Sequence, residues 1–262
     1  YFVARFSKAA KSFGGWKKMP AYKNVEAEWM QYHNSIKPYP GYQQELSGDD
    51  IGAWFDFDTK EQEAIEVKLG ISFVSIDNAR QNLNAEQPDF AFEDTRQKAV
   101  QAWDQLLDKV QLEASGPDQL NQKTIFYTAL YHSLIHPNII QDVNGDYPLM
   151  GPPAVGKSGA GNTGGKNRYS VYSLWDTNRN LHPLLSLLYP ALQNDMLQSA
   201  VAMAAESGWL PKWELYGMET QVMVGDPATP MIADSYLRGI RNFDVETAYQ
   251  AMVRAAEQAD NN

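Results

Sequence analysis

The stretch IEVKLGISFVSID (residues 65–77) decides the fold, because the chain changes period inside it. From Ile65 to Phe73, the apolar Ile65, Val67, Leu69, Ile71 and Phe73 alternate with Glu66, Lys68, Gly70 and Ser72. Period 2 over this run predicts a strand whose apolar side is buried, as in an antiparallel sheet or sandwich. From about Asp77 the period changes and everything afterwards reads helical. Strands first and helices after predict an α+β chain.

Working outward, YFVARF (1–6) alternates like another strand, and AWFDF (53–57) reads as a third. Between them a Gly, Lys and Pro-rich stretch runs to about Ser47. Downstream, Val100, Trp103, Leu107 and Val110 form an apolar stripe. Tyr127, Leu130, Tyr131 and Leu134 form a second, which Phe126 and Ala129 widen toward a helix buried on most sides. Further stripes lie at Leu181 to Leu188, Met196 to Ala205, Met231 to Ile240 and Val245 to Ala256, the last with Asp244 placed as an N-cap. Helix pairs joined by long Gly/Pro loops fit an α-toroid or solenoid, although no internal repeat supports a true solenoid. The loop Asn144 to Arg168 carries seven glycines, and loops of that length are usually functional or disordered.

The 262 residues carry 22 basic and 32 acidic side chains, a formal charge of −10. Nucleic acid and anionic membranes need a basic footprint, so neither is expected as a partner. No apolar run is long enough to span a bilayer. The absence of cysteine excludes disulfides, thiolate metal sites and cysteine catalysis. The chain opens in mid-strand at Tyr1 and its last helix runs out in polar residues, so it is expected to be the middle of a longer protein.

Several motifs have bland readings that win. GPPAVGKS (151–158) matches the phosphate-loop pattern letter for letter. That chemistry needs a hydrophobic strand before the loop and a helix after it, whereas Asp146-Tyr147-Pro148 precede and a glycine-rich run follows. Asp142, Asn144 and Asp146 have calcium-loop spacing, but Tyr147 and Ala154 stand where Gly and Glu are required, which leaves an Asx-rich turn. His132 and His136 are i, i+4 without a zincin Glu between them, so packing or capping is the better reading.

Two segments are harder to explain by packing. YSLWDT (172–177) sets Asp176 beside Trp175 at a helix start, where Asp176 serves either as an N-cap or as a ligand-facing carboxylate. The segment from Gly208 to Pro227 gathers Trp209, Trp213, Tyr216 and the acids Glu214, Glu219 and Asp226 between two helices. Indole faces suit the C–H face of a pyranose and carboxylates suit its hydroxyls, so a carbohydrate site fits this composition. A carboxyl among aromatics would also have the raised pKa that a general acid needs.

YTALYHSLIHPN (127–138), YSLWDT (172–177) and above all GWLPKW with GMETQVMVGDPATPMIADSY (within 208–236) resemble the calcium-dependent α-mannosidases of glycoside hydrolase family 92. YFVARFSK resembles the end of that family's N-terminal β-sandwich. The resemblance implies the end of an antiparallel β-sandwich (1–76), a linking helical segment (77–115) and the first part of an (α/α)6 catalytic toroid (116–262). It implies an exo-acting, inverting enzyme that removes terminal α-linked mannose, α-1,2 above all, from N-glycans or mannan.

Glu219 falls by motif on the family's general acid; a branch acting on mannose phosphate diesters has Gln there instead. Trp175 and Asp176 fall on the subsite for the terminal mannose, with Trp209 and Trp213 as further sugar-facing residues. Asp226 reads as structural, with Pro227 at a turn or helix start. The family's GNDD-like and GNEP-like motifs, which carry its general base and part of its calcium shell, do not occur here. The base and the Ca2+ ligands are therefore expected beyond Asn262, with the N- and C-terminal remainder of the same enzyme as partner. Export to the periplasm or the cell exterior follows from the resemblance alone. Two other readings stay open: another (α/α)6 polysaccharide enzyme, such as a lyase using Tyr216, and a non-catalytic glycan-binding protein keeping Trp175, Trp209 and Trp213 as a platform.

Overall fold

The structure, a computed structural model, describes residues 1–18, 36–48, 50–152, 156 and 158–258. The chain divides into a smaller compact unit, Ala4–Lys68, and a larger one made of Tyr1–Val3 with Leu69–Asn262. Strands come first and helices follow, and all the strand pairs with a recorded register are antiparallel, so the chain is α+β as expected.

Strands β1 (Phe2–Phe6) and β5 (Val67–Ile71) pair with each other. In the smaller unit, β2 (Ser12–Lys18) lies between β3 (Ile36–Pro40) and β4 (Ile51–Asp56). The Gly/Lys/Pro-rich stretch to Ser47 thus holds two strands that sequence reading passes over; its residues 19–35 lie outside the described ones. Glycine and tryptophan oppose each other twice across β2 and β4, as Gly14↔Trp54 and Trp16↔Gly52. A Cβ on Gly14 would stand 2.7 Å from the Trp54 ring, and one on Gly52 2.5 Å from Trp16. Each indole therefore lies over the bare backbone opposite it, an aromatic cover for glycine in a sheet.

The alternation in β5 is real, but its sides are reversed. Val67, Leu69 and Ile71 are exposed, while Lys68, Gly70 and Ser72 are buried. The cause lies in α1 (Ile76–Glu86), which turns back under the strand. A Cβ on Gly70 would meet the Ala79 carbonyl at 2.2 Å and Leu83 Cβ at 2.6 Å, so the glycine admits the helix. Period 2 says that the two sides differ; the neighbouring element decides which is covered.

The core of the larger unit is helical. Pro190 opens and Gly208, at φ 88°, closes the central helix α6 (Pro190–Ser207), where a left-handed cap needs no Cβ. The preceding helices are α2 (Phe92–Leu107), α3 (Gln119–His132), the single turn α4 (Leu174–Thr177) and α5 (Leu181–Leu188). After α6 come α7 (Ala228–Leu237) and α8 (Val245–Glu257), whose N-cap Asp244 accepts the Thr247 N–H at 3.0 Å, as the sequence predicts. α6 packs on α5, α7 and α8 through Met196, Leu197, Ala200, Met203 and Ala204. The first two stripes fall on helices except for Val110 and Leu134, which lie just past the helix ends. They are overstated in burial: Val100 is exposed, and of α3 only Leu130 is fully buried. Trp103 and Tyr131, with rings 4.5 Å apart, join α2 to α3, while Phe126, Tyr127 and Leu130 turn toward the core. β6 (Asn138–Ile139) pairs with β9 (Tyr169–Ser170), and the glycine-rich loop between them contains a hairpin of β7 (Asp146–Leu149) and β8 (Gly159–Asn162).

Candidate active site

Segments distant in sequence meet in one small sheet of the larger unit. β10 (Tyr172–Ser173), β11 (Trp213–Leu215) and β12 (Met218–Glu219) lie in that order, antiparallel, with Tyr172 opposite Glu214, Ser173 opposite Trp213, and Glu214 opposite Glu219. Directly opposed residues share a face of a ladder, so Tyr172, Glu214 and Glu219 form one row. That row is buried: Tyr172 and Glu214 are 0% exposed and Glu219 8%. The two-residue turn Tyr216–Gly217 has positive φ at both positions, 51° and 85°. Such a turn suits the twist of a hairpin, but its first position ordinarily takes Asn, Asp or Gly. Tyr216 sits there with its ring stacked on Phe73, centroids 4.5 Å apart.

Glu219 is held by backbone donors. Its Oε2 accepts from Lys212 N–H at 2.8 Å and its Oε1 from Gln221 N–H at 3.2 Å, with Trp213 N–H shared between them. Glu214 is more deeply enclosed. The Ser170 hydroxyl donates to it at 2.9 Å, Val171 N–H at 3.1 Å and Gly217 N–H at 2.6 Å. Burial pushes the Glu214 carboxyl above the usual range; the Gly217 N–H, the Ser170 hydroxyl and the nearby Arg168 guanidinium pull the other way. Arg168 is itself buried in a two-pronged pair with Glu206 at 2.8 and 2.9 Å, and Glu206 also accepts from the Tyr147 hydroxyl and Met150 N–H. Sequence reading does not single out Ser170, Arg168 or Glu206. The signal for Glu214 was present, as one acid among three in the segment, but its partners Ser170 and Val171 stand 44 and 43 residues upstream.

Leu174 N–H donates to the Lys212 carbonyl at 3.0 Å, which ties α4 to the approach to β11. The N-cap of α4 is Ser173, so Asp176 is not the cap; it lies in the first turn, is exposed, and accepts the Ser173 hydroxyl at 2.6 Å. Trp175 is exposed, with Arg179 4.6 Å over its ring. Trp209 and Trp213 are half-buried on the run leading to Glu219. Asp226 is exposed and the helix after it begins at Ala228, in line with a helix-start role for Pro227.

The rejected motifs resolve as follows. The phosphate-loop match does follow a strand, β7, contrary to expectation, but its other flank is the partner strand β8 rather than a helix. Residues 153–155 and 157 of it lie outside the described ones. Asn144 and Asp146 form the expected Asx turn, with Asp146 N–H on Asn144 Oδ1 at 3.0 Å. Asp142 and Asp146 accept from the side-chain amides of Asn78, Asn82, Asn144 and Asn162. Those donors occupy carboxylate oxygens that a cation would need. Among the described residues no three His, Asp or Glu converge on a metal position, so this part of the chain does not fit a calcium cage and no step below runs through one. A cleft of about 300 Å³ lined by Tyr147, Arg168, Gln198 and Asp244, and one of about 430 Å³ between α7 and α8, include neither Glu219 nor Asp176 in their linings. The site is marked by its residues and register, not by either of these clefts.

Compared with known proteins, residues 1–72 match the glycosyl hydrolase family 92 N-terminal domain and residues 78–262 its catalytic domain. A family GH92 α-mannosidase from Bacteroides thetaiotaomicron superimposes with a TM-score of 0.81 and 30% identity over 100% of this chain and 33% of that one. A family GH92 inverting mannosidase from the same organism superimposes at 0.78 with 24% identity, over 100% of this chain and 32% of that one. A fungal protein of Arthroderma benhamiae, described as an uncharacterized secreted glycosidase, is 28% identical over 198 residues, 74% of this chain and 20% of that protein. The chain thus spans about a third of the structural neighbours and a fifth of the curated relative.

Proposed function

The chain belongs to glycoside hydrolase family 92, and from that premise we propose that it carries the general acid, Glu219, of an exo-acting α-mannosidase. In an inverting displacement one carboxylic acid protonates the glycosidic oxygen while a second carboxylate, roughly 6.5–9.5 Å away, activates water. Glu219 takes the first role. Trp175, Trp209 and Trp213 offer aromatic faces for the sugar ring, and Asp176 accepts from its hydroxyls. The observation that carries this reading is the β10–β11–β12 register, which sets the Glu219 hairpin beside the strand that leads directly into the Trp175–Asp176 turn. The structural neighbours' descriptions as mannosidases support the substrate class. Terminal α-1,2-linked mannose of N-glycans or mannan is the proposed substrate, and calcium dependence is proposed on the family resemblance. The fungal relative's description as secreted supports an exported enzyme, and no helix among the described residues is long and apolar enough to cross a membrane.

The test uses the enzyme that contains this chain, with α-1,2-mannobiose followed by proton NMR, with and without chelator. β-Mannose should appear first. Glu219→Gln should lower kcat by about 10²–10⁴-fold, the usual worth of a positioned general acid. Tyr216→Phe keeps the stack on Phe73 and should stay within about twofold of wild type on that scale. An inactive Tyr216→Phe beside an active Glu219→Gln would turn the reading to a lyase. Glycan binding untouched by Glu219→Gln, with no turnover by the unsubstituted enzyme, would turn it to a glycan-binding protein.

A further inference from the structure

Four non-glycine residues among those described have positive φ, and three of them surround the two glutamates of the hairpin: Val171 at 66°, Tyr216 at 51° and Gln221 at 56°. A left-handed backbone is unfavourable for a side chain with a Cβ, and most of all for a β-branched one. Such conformations persist where the surroundings over-determine them, and they cluster at working sites. Here each is tied to a carboxylate. Val171 N–H donates to Glu214 Oε2 at 3.1 Å. Tyr216 N–H donates at 2.9 Å to Ser170 Oγ, whose own hydrogen goes to Glu214. Gln221 N–H donates to Glu219 Oε1 at 3.2 Å.

Glu214 is not a second acid for the sugar. It is 0% exposed and ringed by donors from Ser170, Val171 and Gly217, so no substrate oxygen can reach it. What it does touch is the 170–171 bend, the 216–217 turn and, across the ladder, the position of Glu219. We propose that Glu214 is the positioning residue for Glu219: its buried carboxylate pins the bend and the turn in left-handed backbone, and thereby fixes where the opposed Glu219 presents its carboxyl. Gln at 214 has the same shape, but one of its two oxygens becomes an N–H donor facing other donors, so part of the anchor is lost. The inference rests on Glu219 being the acid.

Misplaced protonation has a signature that a general loss of stability lacks. A mannoside with a poor leaving group needs the proton, whereas one with a good leaving group largely does not. The experiment compares kcat/KM for 2,4-dinitrophenyl and methyl α-mannosides in the enzyme that contains this chain, for wild type, Glu214→Gln, Ser170→Ala and Glu219→Gln. The dinitrophenyl-to-methyl ratio should rise at least about tenfold in Glu214→Gln, less in Ser170→Ala and most in Glu219→Gln, with KM nearly constant. Should Glu214→Gln fail to fold, as judged by circular dichroism, the ratio in Ser170→Ala carries the test. A raised ratio in Glu219→Gln with an unmoved ratio in the folded anchor variants would overturn the positioning role alone. A ratio unmoved in Glu219→Gln would overturn the acid assignment, and the positioning role with it.

Discussion

His182 is 1% exposed, yet both ring nitrogens have partners, Nδ1 with Gln193 Oε1 at 3.0 Å and Nε2 with Thr177 Oγ1 at 3.1 Å. An amide oxygen only accepts, so a proton belongs on Nδ1, while the Thr177 hydroxyl at Nε2 also donates to the Ser173 carbonyl at 3.0 Å. Gln193 in turn donates to Ser235 at 3.1 Å, which links α5, α6 and α7 through polar groups inside the core. Burial pulls the His182 pKa down to about 4, with the Gln193 bond acting against it. The folded value lies below the unfolded one, so the unfolded chain takes up the proton first as pH falls. The stabilisation is whole above about pH 6.5 and is lost on acidification toward pH 4, amounting to about 3 kcal/mol. Glu214 runs the other way: its folded value is raised, so its contribution is lost as pH climbs above its unfolded value. Melting temperature should therefore fall between pH 7 and pH 4.5 in wild type, and fall less steeply in His182→Gln. Parallel slopes would remove His182 from the acid sensitivity. At the residue scale the GMET motif proposes Glu219 by resemblance, whereas Glu214 needed the long-range partners Ser170 and Val171 to acquire a meaning.

At the scale of elements, β5 separates what a pattern can tell from what it cannot. Ile65–Phe73 announced a strand, and α1 follows it almost immediately, yet Val67, Leu69 and Ile71 are exposed while α1 packs against Gly70 on the opposite side. Only Gly70 allows that approach: a β-carbon there would stand far inside van der Waals contact of the Ala79 carbonyl, which is backbone and cannot rotate away. Gly70→Ala should cost at least about 2 kcal/mol in urea unfolding, within the range for overpacked or strained sites. Gly164→Ala, at φ 62° with open space around the added carbon, isolates the backbone cost alone and should lose less. Equal losses would mean that the contact with α1 is not what Gly70 is for. Helices α5 to α8 were legible because apolar stripes and caps are local; Asp244 and Gly208 each act within a turn of their helix. The short β10–β11–β12 strands were not, since two- and three-residue strands carry no period and exist only through their pairing.

For the molecule as a whole, two forces compete over the apolar surface left uncovered by the described residues. Phe2, Val67, Leu69 and Ile71 are exposed on the paired strands β1 and β5. In the helical layer, an open groove lined by Ile232, Tyr236, Leu237, Phe243, Tyr249 and Met252 runs between α7 and α8. Exposed patches beyond a few hundred Å² mark contact surfaces, and burying about 300 Å² of one is worth about 7 kcal/mol at about 25 cal/mol per Å². Against association stands a formal charge of −10. That repulsion acts over about 30 Å at 0.01 M salt but only about 8 Å at 0.15 M. Burial should prevail at the higher salt and repulsion at the lower. Residues 1–262 produced alone should bind an apolar dye, self-associate in sedimentation velocity at about 0.15 M salt and dissociate toward monomer at about 0.01 M. A dye-silent monomer at both salts would mean that these faces are closed by some arrangement of the chain's own residues, and that the inverted exposure of β5 does not persist in solution.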